Sequence, residues 1–225
     1  MTGLRGLNAR SEPLRPVVAV VDYGIGNLRS AEKALDRVGA DARLTADVDV
    51  IAAADAVVIA GVGNFGRCME ALRAGGLDRP TLAAVEAGTP FMGICVGMQM
   101  LYEASEEAPG VPGLGVVPGT VALLPDTVKR PQIQWNLVER RGPSGLFDGV
   151  DDPIWAYFVH SYAAPLSDAV VATCDYGGPV PAAIEQGTVW ATQFHPEKSS
   201  DKGLAVLANF ARAAARAADG VQAPA

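Results

Sequence analysis

The 225-residue chain has only two histidines, His160 and His195, and three cysteines, Cys68, Cys95 and Cys174. Two imidazoles and three scattered thiols make no cluster with metal-ligand spacing, so neither a metal nor an organic cofactor is implied. An odd number of cysteines spread through a chain of this length reads as reduced thiols of a cytoplasmic protein, not as a disulfide framework. No apolar run reaches the roughly 20 residues that cross a bilayer, which speaks against a membrane partner. The first sixteen residues carry Arg5, Arg10 and Arg15 but lack the apolar stretch of a signal peptide. Residues 1–16 read as a flexible extension and residues 219–225 as a tail. Charge is sparse as well: charged residues make up 19% and the net charge is -7, which disfavours a nucleic-acid partner. Repeats and low-complexity linkers are missing, so nothing marks a second domain between residues 17 and 218. The hydrophobic content of 49% suits one sizeable core.

Within that span, Val17 to Val21 is a continuous β-branched run, as expected of a strand buried on both faces of a parallel sheet. Gly24 and Gly26 turn the chain, and Asn27 to Val38 has helical spacing (Leu28, Ala31, Leu35, Val38) up to Gly39. Ala42 to Thr45 is a weak second strand and Ala56 to Ala60 a strong third. Helices over Phe65–Ala74 and Thr81–Ala87 follow. This alternation predicts an α/β fold with a doubly wound, mostly parallel sheet flanked by helices. Later the pattern changes to short strands: Val116–Leu124, Asn136–Glu139, Ile154–His160, Val170–Asp175, Ala182–Glu185 and Thr188–Thr192. These are expected as antiparallel additions at one end of the sheet. A closing helix over Gly203–Ala218 carries an apolar stripe.

The chemistry concentrates in Thr89 to Leu101. A short apolar run leads into Gly93-x-Cys95-x-Gly97, and Gly97 to Glu107 is expected as one helix. Glycines on both sides of a cysteine permit a sharp strand-to-helix turn that pushes the thiol into a cleft. There the positive end of a helix dipole favours thiolate, which a free thiol of pKa about 8.5 needs for work near neutrality. A buried structural cysteine in a glycine-rich turn is the other reading of these five residues. A nucleophile needs a base and the base an orienter. His195 and Glu197, separated by Pro196, supply both at the end of the run Val189–Ala191.

Gly93-Ile-Cys-Val-Gly-Met-Gln99 together with Gln193-Phe-His-Pro-Glu-Lys-Ser199 resembles the class I, triad-type glutamine amidotransferases. Asp22 to Ser30, Gly61 to Phe65, Pro131 to Asn136 and Tyr157 to Tyr162 narrow the resemblance to the glutaminase subunits of imidazole glycerol phosphate synthases, over roughly Val17 to Phe210. The resemblance implies a flavodoxin-like amidotransferase domain over residues 17–218 that hydrolyses glutamine with Cys95, His195 and Glu197. It implies an oxyanion hole from Gly61, Val62, Gly63 and Val96, and glutamine held by Gln99, Glu107, Ser161 and Tyr162. As partner it implies a (β/α)8-barrel cyclase subunit in a heterodimer, met by Asn27, Trp135 and Lys198. The cyclase would use the ammonia to make imidazole glycerol phosphate and an aminoimidazole carboxamide ribotide in histidine biosynthesis. An amidotransferase feeding another acceptor, such as a sugar-modifying paralogue, and a partnerless γ-glutamyl or cysteine hydrolase are the alternatives.

Several segments have plainer readings on their own residues. Asp22 to Leu28 and Gly61-Val62-Gly63 could be ordinary βα turns. Gln99 and Glu107 could be solvated helix residues on one face, and Trp135 a core aromatic. Three positions depart from the family pattern: Ala60 where proline is usual, Gln132 where histidine stands, and Gln134 where glycine stands.

Overall fold

The computed structural model describes residues 15–220. Its first half alternates strand and helix: β1 (Val17–Val21), α1 (Leu28–Arg37), β2 (Asp41–Thr45), α2 (Val48–Ala52), β3 (Ala56–Gly61), α3 (Phe65–Ala74), α4 (Asp78–Glu86), β4 (Phe91–Cys95) and α5 (Val96–Met100). The second half is mostly strand: β5 (Tyr102–Ser105), β6 (Val117–Leu123), β7 (Gln132–Arg140), β8 (Ile154–His160), β9 (Tyr162–Ala163), β10 (Val170–Asp175), β11 (Pro179–Gln186) and β12 (Val189–Thr192), closed by α6 (Ser200–Ala218).

Nine strands form one sheet in the order β2-β1-β3-β4-β12-β11-β10-β7-β8. β1, β3 and β4 are buried almost throughout because helices cover both faces, which is why they read as unbroken apolar runs. β12 joins β4 in parallel, pairing Ala191 with Gly93 and Thr192 with Ile94. The expectation of antiparallel additions therefore holds for β11, β10, β7 and β8, but not for β12, which completes the parallel core. β6 is also not part of this sheet. It pairs with β5 and β9 in a separate three-stranded sheet.

The expected helix over Gly97–Glu107 is corrected. Helix α5 ends at Met100, and the chain turns at once into β5. The cause is tertiary. Leu114 N–H donates to the Met100 carbonyl, and Val116 and Val117 N–H donate to the Leu101 carbonyl, capturing the groups a longer helix would use. Tyr102 then pairs with Val117 in parallel, so strand pairing overrides a helical spacing that only three apolar residues supported.

At the sheet edge, Asp41 N–H donates to the Pro16 carbonyl and the Arg15 guanidinium to the Ala40 carbonyl. The last two residues of the expected N-terminal extension are thus bound to the fold. Residues 1–14, and residues 221–225 of the expected tail, lie outside the described residues. No helix among the described residues is long and apolar enough to cross a membrane.

Candidate active site

Two adjacent parallel strands aim the chemistry at one place. Cys95 ends β4, and His195 follows β12 by three residues, so both emerge at the carboxyl edge of the sheet, where open α/β folds bind ligands. Cys95 has φ 55° and ψ -112°, a backbone strain that marks a nucleophile elbow. The flanking glycine is a steric requirement: a Cβ on Gly97 would overlap the Ile59 carbonyl oxygen of the neighbouring strand.

His195 is held from three directions. Its N–H donates to the Tyr157 carbonyl, the Ser199 hydroxyl donates to its carbonyl at 2.6 Å, and its Nδ1 lies 2.8 Å from Glu197 Oε1. The two side chains are only 2% and 3% exposed. With Nδ1 donating to Glu197, Nε2 is left without a partner. Burial alone would pull the imidazole pKa down, but the Cys95 sulfur and the Glu197 carboxylate outweigh it and push it up to about 9. Gln193, in the same segment, donates from Nε2 toward the Cys95 sulfur at 3.8 Å.

Cys95 and His195 line a cavity of about 230 Å³ together with Val62, Gly63, Val96, Gln99, Glu107, Pro131, Val159, His160, Ser161 and Tyr162. This is below the range typical of drug-sized ligands and suits one small polar molecule. Of the sequence-based candidates, only Gly61 among the oxyanion and glutamine-binding residues stays outside the lining. Gln99 and Glu107 meet in the cavity without sharing a helix. Gln99 Nε2 donates to the Tyr162 carbonyl at 2.9 Å and to Gln193 Oε1 at 3.0 Å. Glu107 sits in the turn after β5 and accepts from Phe65 N–H at 2.7 Å, at the N-terminus of α3.

Gly61 pairs with Cys95 in the β3–β4 ladder, and Val57 N–H donates to the Pro90 carbonyl earlier in it. Carrying that alternation forward points the Gly61 carbonyl at the Val96 N–H. Gly63 follows with φ +88°.

Asn27, Trp135 and Lys198 are exposed, Trp135 by 47%. Trp135 is not a core aromatic, and two exposed neighbours on the β7–β8 hairpin, Ile133 at 59% and Trp155 at 50%, extend an apolar strip beside it. Gln132 is fully buried, its Nε2 pointing to the Cys174 sulfur at 4.0 Å, whereas Gln134 faces solvent. Sequence reasoning assigned no role to Gln193 and His160. Gln193 stands two residues before His195 and His160 one before Ser161, so proximity to the motifs was the available signal. Burial lowers the His160 pKa to about 4, and its Nδ1 contacts the Tyr162 carbonyl at 2.9 Å, so it is a neutral wall of the cavity. Among the described residues no group of His, Cys, Asp and Glu could hold a metal ion.

A strained thiol at the carboxyl edge of a doubly wound sheet, beside a carboxylate-oriented histidine, defines a cysteine-nucleophile enzyme acting on a carbonyl carbon. A family model described as "Glutamine amidotransferase class-I" matches residues 19–214. Imidazole glycerol phosphate synthase subunit HisH of Deinococcus radiodurans is 48% identical over 201 residues, covering 88% of this chain and 94% of that one. The protein of the same name from Methanothermobacter thermautotrophicus is 48% identical over 195 residues, covering 86% and 97%. A crystal structure of a glutamine amidotransferase shares the fold with TM-score 0.67 at 23% identity, over 87% of this chain and 98% of that one. The chain belongs to the class-I glutamine amidotransferases and, within them, to the HisH family.

Proposed function

We propose that this protein is the glutaminase subunit of an imidazole glycerol phosphate synthase. The observation that carries the reading is the buried His195–Glu197 contact with Nε2 left open beside Cys95, inside a cavity walled by Gln99 and Glu107. Glutamine's ammonium group pairs with the Glu107 carboxylate, and Ser161 and Tyr162 line the end where its carboxylate lies. The Cys95 sulfur attacks the side-chain amide carbon. His195 Nε2 takes the thiol proton as the carbonyl π-electrons move to oxygen; that electron pair then re-forms the carbonyl as the C–N bond breaks and Nε2 gives the proton to the leaving nitrogen. Ammonia departs and a γ-glutamyl thioester remains. His195 then takes a proton from water, hydroxide adds to the thioester, and glutamate leaves as the thiolate returns.

The developing oxyanion needs backbone donors. Val96 N–H supplies one, and Val62 N–H supplies the other once the Gly61 carbonyl turns out of the hole. A resting enzyme with that carbonyl in place hydrolyses glutamine slowly and does not waste it. The apolar strip of Ile133, Trp135 and Trp155 lies on the hairpin that also brings Val159 and His160 to the cavity, so a partner docked there closes over the site. In this reading the partner is a (β/α)8-barrel cyclase that takes ammonia shielded from water, and Lys198 and Asn27 flank the contact. The 48% identity to HisH proteins over nearly their full length favours this acceptor over another one. Three buried, unpaired thiols suit a reducing cytoplasm.

The test is glutamate release by the purified chain, alone and with a cyclase barrel plus its ligand. The reading expects slow release alone and a rise of about 10²-fold or more in the complex, the worth of an oxyanion donor. No stimulation by the barrel would remove the synthase assignment. No release in either state would remove the glutaminase assignment.

A further inference from the structure

Three consecutive peptides lead from β3 into the cavity, and two of them are held by side chains, Tyr23 and Cys68, that also touch each other. The Tyr23 hydroxyl, in the loop between β1 and α1, donates to the Ala60 carbonyl at 2.7 Å in the buried interior. It lies so close over the strand that a Cβ on Gly61 would come within 2.6 Å of it. The Cys68 thiol, on α3, contacts the Val62 carbonyl at 3.6 Å, an ordinary length for a thiol donor. Both groups are buried. The peptide between them, Gly61–Val62, has no such side-chain anchor, and its carbonyl is the one that the β3–β4 register directs at the Val96 N–H.

We propose that Tyr23 and Cys68 are positioning residues that pin the peptides on either side of Gly61–Val62, so that this one peptide turns to present the Val62 N–H to the oxyanion. The inference rests on the glutaminase reading above. A peptide turns by opposite rotations about the ψ of the residue before it and the φ of the residue after it. Those rotations leave the chain path unchanged only when the flanking peptides stay put. Glycine at 61 tolerates its half of the motion. Val62 is not among the positive-φ residues, and the turn drives this β-branched side chain toward that unfavourable region. With either pin gone, the strain relaxes into Ala60 or Gly63, and the N–H arrives displaced from the oxyanion. Burial keeps the Tyr23 phenol and the Cys68 thiol protonated, so both remain donors at working pH.

The experiment uses Tyr23→Phe and Cys68→Ala in the full chain complexed with the barrel. It measures kcat and KM for glutamine, thermal unfolding, and the rate at which iodoacetamide alkylates Cys95, followed by peptide mapping. Alkylation is a displacement with no tetrahedral oxyanion, so it reads the thiol and the cleft but not the hole. The expected result is a fall in kcat of about tenfold for each variant, below the 10²–10³ of losing a donor outright. KM and the alkylation rate should stay within about twofold. If either variant fails to fold, the other carries the same test. Unchanged kcat, or equal losses in kcat and alkylation, would overturn the proposal while leaving the glutaminase reading intact. A wild-type complex that releases no glutamate would overturn both.

Discussion

Replacing Glu197 by Gln keeps the shape of the orienting side chain and removes its charge. In the wild type, His195 rises from an ordinary 6.5 to about 9 although burial, the largest single influence, pulls it down. That net rise corresponds to about 3 kcal/mol in favour of the imidazolium. The gross contribution of Cys95 and Glu197 is larger still, because it also offsets the burial. Losing the Glu197 part leaves a histidine in a site that penalises its charge. The imidazolium that protonates the leaving ammonia is then scarcer and less stable. We expect kcat to fall by about 10²–10³-fold with KM for glutamine within a few-fold, since Glu197 does not line the cavity. The alkaline limb of kcat/KM, expected near pH 9 in the wild type from the raised His195 pKa, should move toward neutrality. Steady-state glutamate release by the barrel complex across pH 6–10 measures both quantities. His195→Ala removes the base itself and should cost more. A Glu197→Gln loss equal to or greater than that of His195→Ala, or an unmoved alkaline limb, would refute the assignment of orienter and base.

Cys95→Ala and Cys95→Ser should abolish glutamine hydrolysis while partner binding and ammonia-dependent synthesis by the complex persist, as seen by gel filtration and product assays. Gly97→Ala places a methyl group onto the Ile59 carbonyl and should cost more than about 3 kcal/mol in urea unfolding, or prevent folding. Ala60→Pro should lower glutamate release by the isolated chain more than by the complex, because proline restrains the strand that must move. The two histidines predict opposite stability trends. His160, with its folded pKa lowered to about 4, contributes stability that is lost as pH falls from 6.5 toward 4. His195, with its folded pKa raised, contributes stability that is full below 6.5 and lost as pH rises through about 9. Thermal unfolding against pH should therefore peak between these windows, and His160→Gln should flatten the acid side.

The buried strands were legible because helices cover both faces of the sheet, so Val17–Val21 and Ala56–Ala60 carry no polar alternation to confuse the reading. The elbow was legible because Gly97 has no substitute where the turn meets Ile59. The end of α5 was not. Nothing in Leu101-Tyr102 shows that Val116 and Val117 return to take the Leu101 carbonyl. Glu107 reached the site for a reason the periodicity could not show, a bond to Phe65 N–H across 42 residues. Sequence reasoning gave Tyr23 and Cys68 no role at the site, and only their carbonyl partners tie them to the cleft. The β7–β8 strip was half-legible: Trp135 stood out, but Ile133 and Trp155 become exposed only once β8 is known to be a sheet edge.

Acid quenching of the barrel complex during turnover with glutamine, followed by peptide mapping by mass, shows whether a cysteine carries the acyl group. A γ-glutamyl adduct is expected on the peptide carrying Cys95, absent from those carrying Cys68 and Cys174, and absent altogether in Cys95→Ser. Glutamate accumulating with Cys95 never modified, or a covalent adduct on another cysteine, would contradict the assignment of Cys95 as the nucleophile.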